Sequence, residues 1–253
     1  MFSICDKNLP IVVLFGPPAS GKSMALIRLC QYLCAYGYII EPIRTLRPFS
    51  DFRYRVLCDE FHGIINGRVF PRLNYVLLRV ADRKGKFICQ ILKLPGEWCL
   101  VDKVSDSHNI LDELFSCRKL VWITFVDLNW GSIIDRESYV IGLKELWLQR
   151  QHKNDEAIVL LCKIDQLSDF AQLYQEIIDS NYYGLLRHLS YYFSPYIFSH
   201  RIPILRKDRF FRKRILPFNS GTYVVSANYP FESFIPGSNI YPEHLWKTIK
   251  KIL

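Results

Sequence analysis

No run of eighteen or more uncharged apolar residues occurs in the 253-residue chain, so no segment has the length a membrane-spanning helix needs. The opening residues MFSICDKNLP lack a basic stretch followed by an apolar core, which argues against a secretory leader. The expected location is cytoplasmic. Paired cysteines are missing too: Cys5, Cys30, Cys34, Cys58, Cys89, Cys99, Cys117 and Cys162 are scattered with no CxxC spacing. That excludes a recognisable zinc-ligand pattern and argues against a disulfide scaffold in a chain this long. Cys30 and Cys34, four apart on one helix, read as small buried residues. The histidines are equally dispersed, and neither an internal repeat nor a long linker is visible. Residues 1–253 therefore read as one domain. Acidic residues are the scarcer charge, 24 Asp and Glu against 33 Lys and Arg; the net +9 points to an anionic partner.

What is present is enough to build a core. Half the residues are hydrophobic and 23% are charged, a balance that excludes intrinsic disorder. The most informative stretch is IVVLF followed by GPPASGKS, residues 11–23, which runs into a helical pattern. The spacing GxxxxGK[ST] is complete and lies between a strand and a helix, the context that gives it meaning. Such a turn directs backbone N–H groups inward as an anion nest at a helix N-terminus. The candidate phosphate-contact set is Gly16, Pro17, Pro18, Ala19, Ser20, Gly21, Lys22, Ser23 and Met24. Lys22 would reach the terminal phosphates, and the Ser23 hydroxyl would ligate Mg2+.

Along the chain, the pattern predicts a helix from about 22 to 36. Strands follow over Tyr75–Val80 and Phe87–Leu92, joined as a hairpin through ADRKG. A helix is expected near Asn109–Cys117, a buried strand LVWITFV ending at Asp127, a helix over about 135–151, a strand over Ala157–Leu161 and a helix over Phe170–Ile178. Tyr223–Ser226 reads as the last strand, and PEHLWKTIKKIL as an amphipathic C-terminal helix. The alternation predicts an α/β, three-layer P-loop NTPase fold with a mostly parallel sheet and one antiparallel edge hairpin. Residues 39–74 are the place for a switch-like region, with Thr45 as one candidate hydroxyl.

The order of GPPASGKS, a later strand ending in Cys162-Lys163-Ile164-Asp165, and Ser226-Ala227-Asn228 after YVV resembles the Ras-like, translation-factor-related GTPase superfamily. Its layout is most similar to the bacterial double-GTPase families. The resemblance spans most of residues 9–253 but is anchored at four short places. It implies a guanine nucleotide, GTP or GDP, with Mg2+. Asp165 would accept hydrogen bonds from guanine, the Lys163 stem would lie over the base, and Ser226, Ala227 and Asn228 would touch its carbonyl edge. A carboxylate reads the donor–donor edge of guanine, and adenine offers no matching pair. Cys162 stands where the family has an asparagine or threonine. At 93–97 the chain reads Lys-Leu-Pro-Gly-Glu, where the family has Asp-x-x-Gly-Glu. By the resemblance, Gly96 would give its N–H to the terminal phosphate, and Glu97 would orient water, making Lys22, Gly96 and Glu97 the catalytic candidates. Lys93 opposes the metal that the usual aspartate serves, and the first-switch position falls on Leu73 or Asn74. Nucleotide binding with slow or absent hydrolysis is the resulting expectation; Asp102 or Asp127 serving the metal is the alternative.

Residues 181–218 form a basic-aromatic insert. Within 201–214, RIPILRKDRFFRKR, seven Lys and Arg face one Asp. A protein partner is the expected contact; nucleic acid and an anionic membrane surface are alternatives, beside a purely structural loop. Two other function classes stay open: an ATP-binding ATPase or kinase-like enzyme, and a non-hydrolysing scaffold that keeps the fold for interaction.

Overall fold

In the computed structural model, residues 6–44, 51–65, 76–96, 108–127, 139, 142, 150, 154–163, 215–224 and 233–253 are described. A seven-stranded sheet forms the middle layer. Its strands are β1 (Ile11–Phe15), β2 (Ile39–Pro42), β3 (Val76–Ala81), β4 (Phe87–Lys93), β5 (Leu120–Asp127), β6 (Glu156–Cys162) and β7 (Ile215–Phe218), in the order β2-β3-β4-β1-β5-β6-β7. β1 pairs in parallel with β4 and β5, β6 with β5, and β7 with β6; β3 pairs antiparallel with β2 and β4.

β1 is buried along its whole length, which is why it reads as an unbroken apolar run rather than an alternating one. Its residues alternate between two cores. Val12 and Leu14 join Cys89, Ile91, Val121, Ile123 and Phe125 under one helical layer. That layer holds α1 (Lys22–Ala35), α2 (Asp51–Ile65) and the C-terminal helix α4 (Ile240–Ile252). Ile11, Val13 and Phe15 face the opposite layer, with Leu111 and Leu114 of α3 (His108–Phe115) and Tyr139, which lies at a helical position. Helices thus cover both faces, the three-layer α/β arrangement expected from the alternation.

The antiparallel edge contains one more strand than the hairpin alone. β3 and β4 meet as expected across Asp82–Lys86, where the Asp82 carboxylate accepts the Lys84 and Lys86 N–H groups. β2 adds to the outside of β3, at the start of the span read as switch-like, and α2 occupies part of the same span. At the other edge, the last strand of the main sheet is Ile215–Phe218, inside the stretch read as an insert. Pro217, which has no N–H to give, is tolerated there because β7 is the outermost strand. The strand expected over Tyr223–Ser226 is β8 (Gly221–Val224), and it pairs with β9 (Ser233–Pro236) in a separate two-stranded sheet. The expected helix over Phe170–Ile178 and the basic run 201–214 lie outside the described residues.

Candidate functional site

Gly16–Ser23 sits at the C-terminal end of β1, with α1 beginning at Lys22. Gly21 caps the helix in the left-handed region at φ 91°, a conformation that costs an L-residue roughly 1–2 kcal/mol. The first turn of α1 carries no acidic residue, so that turn leaves the positive end of the helix dipole uncompensated by its own side chains. Lys22 is 6% exposed, and its ammonium folds back over the loop to donate to the Gly16 and Pro17 carbonyl oxygens, each at 2.6 Å. The Ser20 hydroxyl is fully buried and has no hydrogen-bond partner among the described residues. Pro18 and Ala19 are exposed, and Met24 packs its side chain against the core under α1.

The segment after β4 closes one side of this loop. A Cβ built on Gly96 would stand 2.5 Å from the Pro18 nitrogen and 2.9 Å from the Pro17 carbonyl carbon, so only glycine fits between the two backbones. The end of β6 closes another side: the Cys162 Cβ lies 3.6 Å from where a Gly21 side chain would begin. Lys163 follows Cys162 with φ 57°. Among the described residues, the non-glycine residues at positive φ are Ala19 and Lys163, one in each of two sequence motifs that meet here. Strained backbone of this kind concentrates at ligand sites.

The structure therefore brings together Gly16–Ser23, Lys93–Gly96 and Cys162–Lys163 along one edge of the sheet. Glu97, Asp165, Ser226, Ala227 and Asn228 lie outside the described residues, as do Thr45, Leu73, Asn74 and Asp102. Asp127 ends β5 level with Cys162, beside the later motif. Lys22, Lys93 and Lys163 come from three parts of the chain to this edge, a concentration of positive charge suited to an anion. The metal-side donors do not match Mg2+ in the same way. Ser23 stands in the first turn of α1, but the residue at the end of β4 is Lys93, an amine 4% exposed, where a divalent ion wants an oxygen. Among the described residues, no group of three or more His, Cys, Asp and Glu side chains is placed to hold a metal ion.

Two supporting residues carried no signal of a role at the site in the sequence. Tyr139 donates its hydroxyl to the Phe15 carbonyl at 3.2 Å and stacks on the Phe15 ring at 5.8 Å, which fixes the last residue of β1 before the loop. Phe125, on the neighbouring strand, presents its Cβ 2.6 Å from where a Gly16 side chain would begin. The sequence pattern marks them only as part of a helix and of an apolar strand; each acts at the site through a contact between distant parts of the chain.

The strand order, the loop and the helix after it define a P-loop-like α/β architecture. No protein-family model and no curated protein matches the chain. Among solved structures it is similar to a Plasmodium falciparum chain provisionally named nucleolar GTP-binding protein 1, at 15% identity and a TM-score of 0.35, over 71% of this chain and 74% of that one. A likeness that distant carries no function from one chain to the other. Among the described residues no helix is long and apolar enough to cross a membrane.

Proposed function

We propose that this protein binds a guanine nucleotide, GTP or GDP, at the edge formed by Gly16–Ser23, and that it hydrolyses GTP slowly or not at all. The observation that carries the reading is the loop itself. Lys22 is drawn into its mouth, Gly21 and Ala19 hold the left-handed turns of an anion nest, and the buried Ser20 hydroxyl has no partner among the described residues. Phosphate oxygens would satisfy these donors together. The guanine preference is supported by the packing of Cys162 against Gly21, with Lys163, the next residue, at φ 57° beside the loop. Asp165 would read the base, and Ser226, Ala227 and Asn228 would complete its surroundings. Gly96, whose backbone abuts Pro17 and Pro18, would donate its N–H to the terminal phosphate, with Glu97 beside it. Slow turnover follows from Lys93, because hydrolysis in such sites rests on positioning and electrostatics around a metal that this residue does not favour.

Calorimetric titration with GDP, GTP, ADP and ATP tests the reading. Binding of GDP and GTP, its loss in Lys22→Ala, and little phosphate release from GTP are expected. Binding of ATP without GTP would remove the guanine assignment, and a folded protein that binds none of the four would leave the scaffold reading.

A further inference from the structure

Among the described residues, the buried cationic side chains are Lys22, Arg28, Lys93 and Arg150. Lys22 bonds to the Gly16 and Pro17 carbonyls, Arg28 to Gly237 and Asn239, and Arg150 to Asp155. Lys93 is singled out by its position on the sheet. It is the last residue of β4, paired with Leu14 of β1 on one side and Val76 of β3 on the other. Successive strand residues alternate between faces, and Cys89 and Ile91 both face the core beneath α1. Lys93, two positions further on, continues that row beside Leu14, which lies two residues before Gly16. The lysine thus stands on the α1 side of the sheet, at the edge where the phosphate loop begins. From it the chain runs through Leu94 and Pro95 to Gly96, whose backbone touches Pro17 and Pro18.

P-loop sites ordinarily neutralise the terminal phosphates with Mg2+, held by the loop Ser or Thr and by an aspartate on a nearby strand. An ammonium at the strand end repels a divalent cation and attracts the same phosphate oxygens. We infer that Lys93 supplies from the chain itself the positive charge that Mg2+ supplies elsewhere, so that this site binds the polyphosphate of a nucleotide without a divalent cation. The inference rests on the nucleotide-binding reading above and names the counter-charge of that same site.

The test is calorimetric titration of the full chain with GDP and GTP, in millimolar Mg2+ and in EDTA. Wild-type affinity is expected to agree within about threefold between the two conditions, and Lys93→Met to lose about tenfold or more of the metal-free affinity. Lys93→Asp should bind only when Mg2+ is present. Tighter wild-type binding in Mg2+ by tenfold or more overturns the inference while leaving nucleotide binding intact, as does full metal-free affinity in Lys93→Met. No binding of either nucleotide in either condition overturns the nucleotide reading itself, and this inference with it. Should the Lys93 variants not fold, Mn2+ titration of the wild-type GDP complex by electron paramagnetic resonance decides. A Mn2+ signal broadened by the protein complex overturns the inference, and a spectrum matching Mn2+ with free GDP supports it.

Discussion

At the scale of single residues, Ser20 is the clearest place where the free protein holds something in reserve. Its hydroxyl is fully buried, lies 3.1 Å from where a Gly16 side chain would begin, and meets no partner among the described residues. A buried polar group left in that state costs roughly 1–3 kcal/mol, whereas a methyl group in its place costs nothing of the kind. Ser20→Ala should therefore raise the stability of the nucleotide-free protein by about 1 kcal/mol, seen as a higher urea midpoint at unchanged slope. The same substitution should weaken nucleotide binding several-fold, because a phosphate oxygen can no longer be met there. A lower midpoint would mean the hydroxyl has a partner in the free protein. The thiols behave in the opposite sense, as inert filler. Burial pushes Cys89 up to about 12 and Cys117 up to about 11, so neither is a thiolate at neutral pH.

At the scale of elements, the parts that were legible in the sequence are those whose signal is local. β1, β5 and β6 announce themselves as continuous apolar runs, α1 follows at once from the glycine turn, and α4 shows its apolar stripe of Leu245, Trp246 and Ile249 beside Lys247, Lys250 and Lys251. β2 and β7 are four residues each and contain Pro42 and Pro217, so they carry little strand signal; pairing to β3 and β6 is what makes them strands. The loop of the site was legible for the same local reason; its walls were named only through the family resemblance, and the contacts of Gly96 with Pro18 and of Cys162 with Gly21 were not legible, because they join distant parts of the chain. The anchor between β5 and β6 is equally invisible in RQHKND. Asp155 accepts two bonds from the Arg150 guanidinium, at 2.6 and 2.7 Å, and further bonds from the Leu120 N–H and the Trp122 indole. Arg150 also donates to the Phe115 and Cys117 carbonyls at the end of α3, and both members of the pair are buried. Removing one partner strands the other charge, so Asp155→Ala should cost about 3–5 kcal/mol in chemical denaturation. Glu243→Ala, which removes the half-buried partner of the exposed Lys247 on α4, should cost no more than about 0.5 kcal/mol. Equal costs for the two would contradict this account of the anchor.

At the scale of the whole molecule, the phosphate loop depends on a helix from the far end of the chain. α1, which carries Lys22 and Ser23, is covered by α4, and Arg28 in the middle of α1 donates to the Gly237 carbonyl at 2.7 Å and to the Asn239 side chain at 2.9 Å, just ahead of α4. Near the helix's other end, Lys119 at the start of β5 donates to the Ile252 carbonyl. Tyr241, Leu245, Trp246 and Ile249 are all buried against the core that contains Leu26, Leu29 and Leu33. At about 1.5–3 kcal/mol for each such side chain, α4 contributes on the order of 6–12 kcal/mol, an upper estimate because the unfolded chain is itself partly collapsed. Domains of this kind are stable by only about 5–15 kcal/mol, so the contribution of α4 is comparable with the whole. Ending the chain after Asn239 should then abolish the cooperative thermal transition along with nucleotide binding. A graded version avoids losing the fold: Leu245→Ala should cost about 2–5 kcal/mol, while Lys251→Ala, on the exposed side of the same helix, should stay within about 0.5 kcal/mol. Trp246 separates packing from hydrogen bonding at this interface. Its indole N–H is buried without a partner among the described residues, so Trp246→Phe should cost far less than Trp246→Ala, which empties the site between α4 and Tyr38. Comparable melting temperatures for the truncated and full-length chains would show that α1 holds the loop in place without α4.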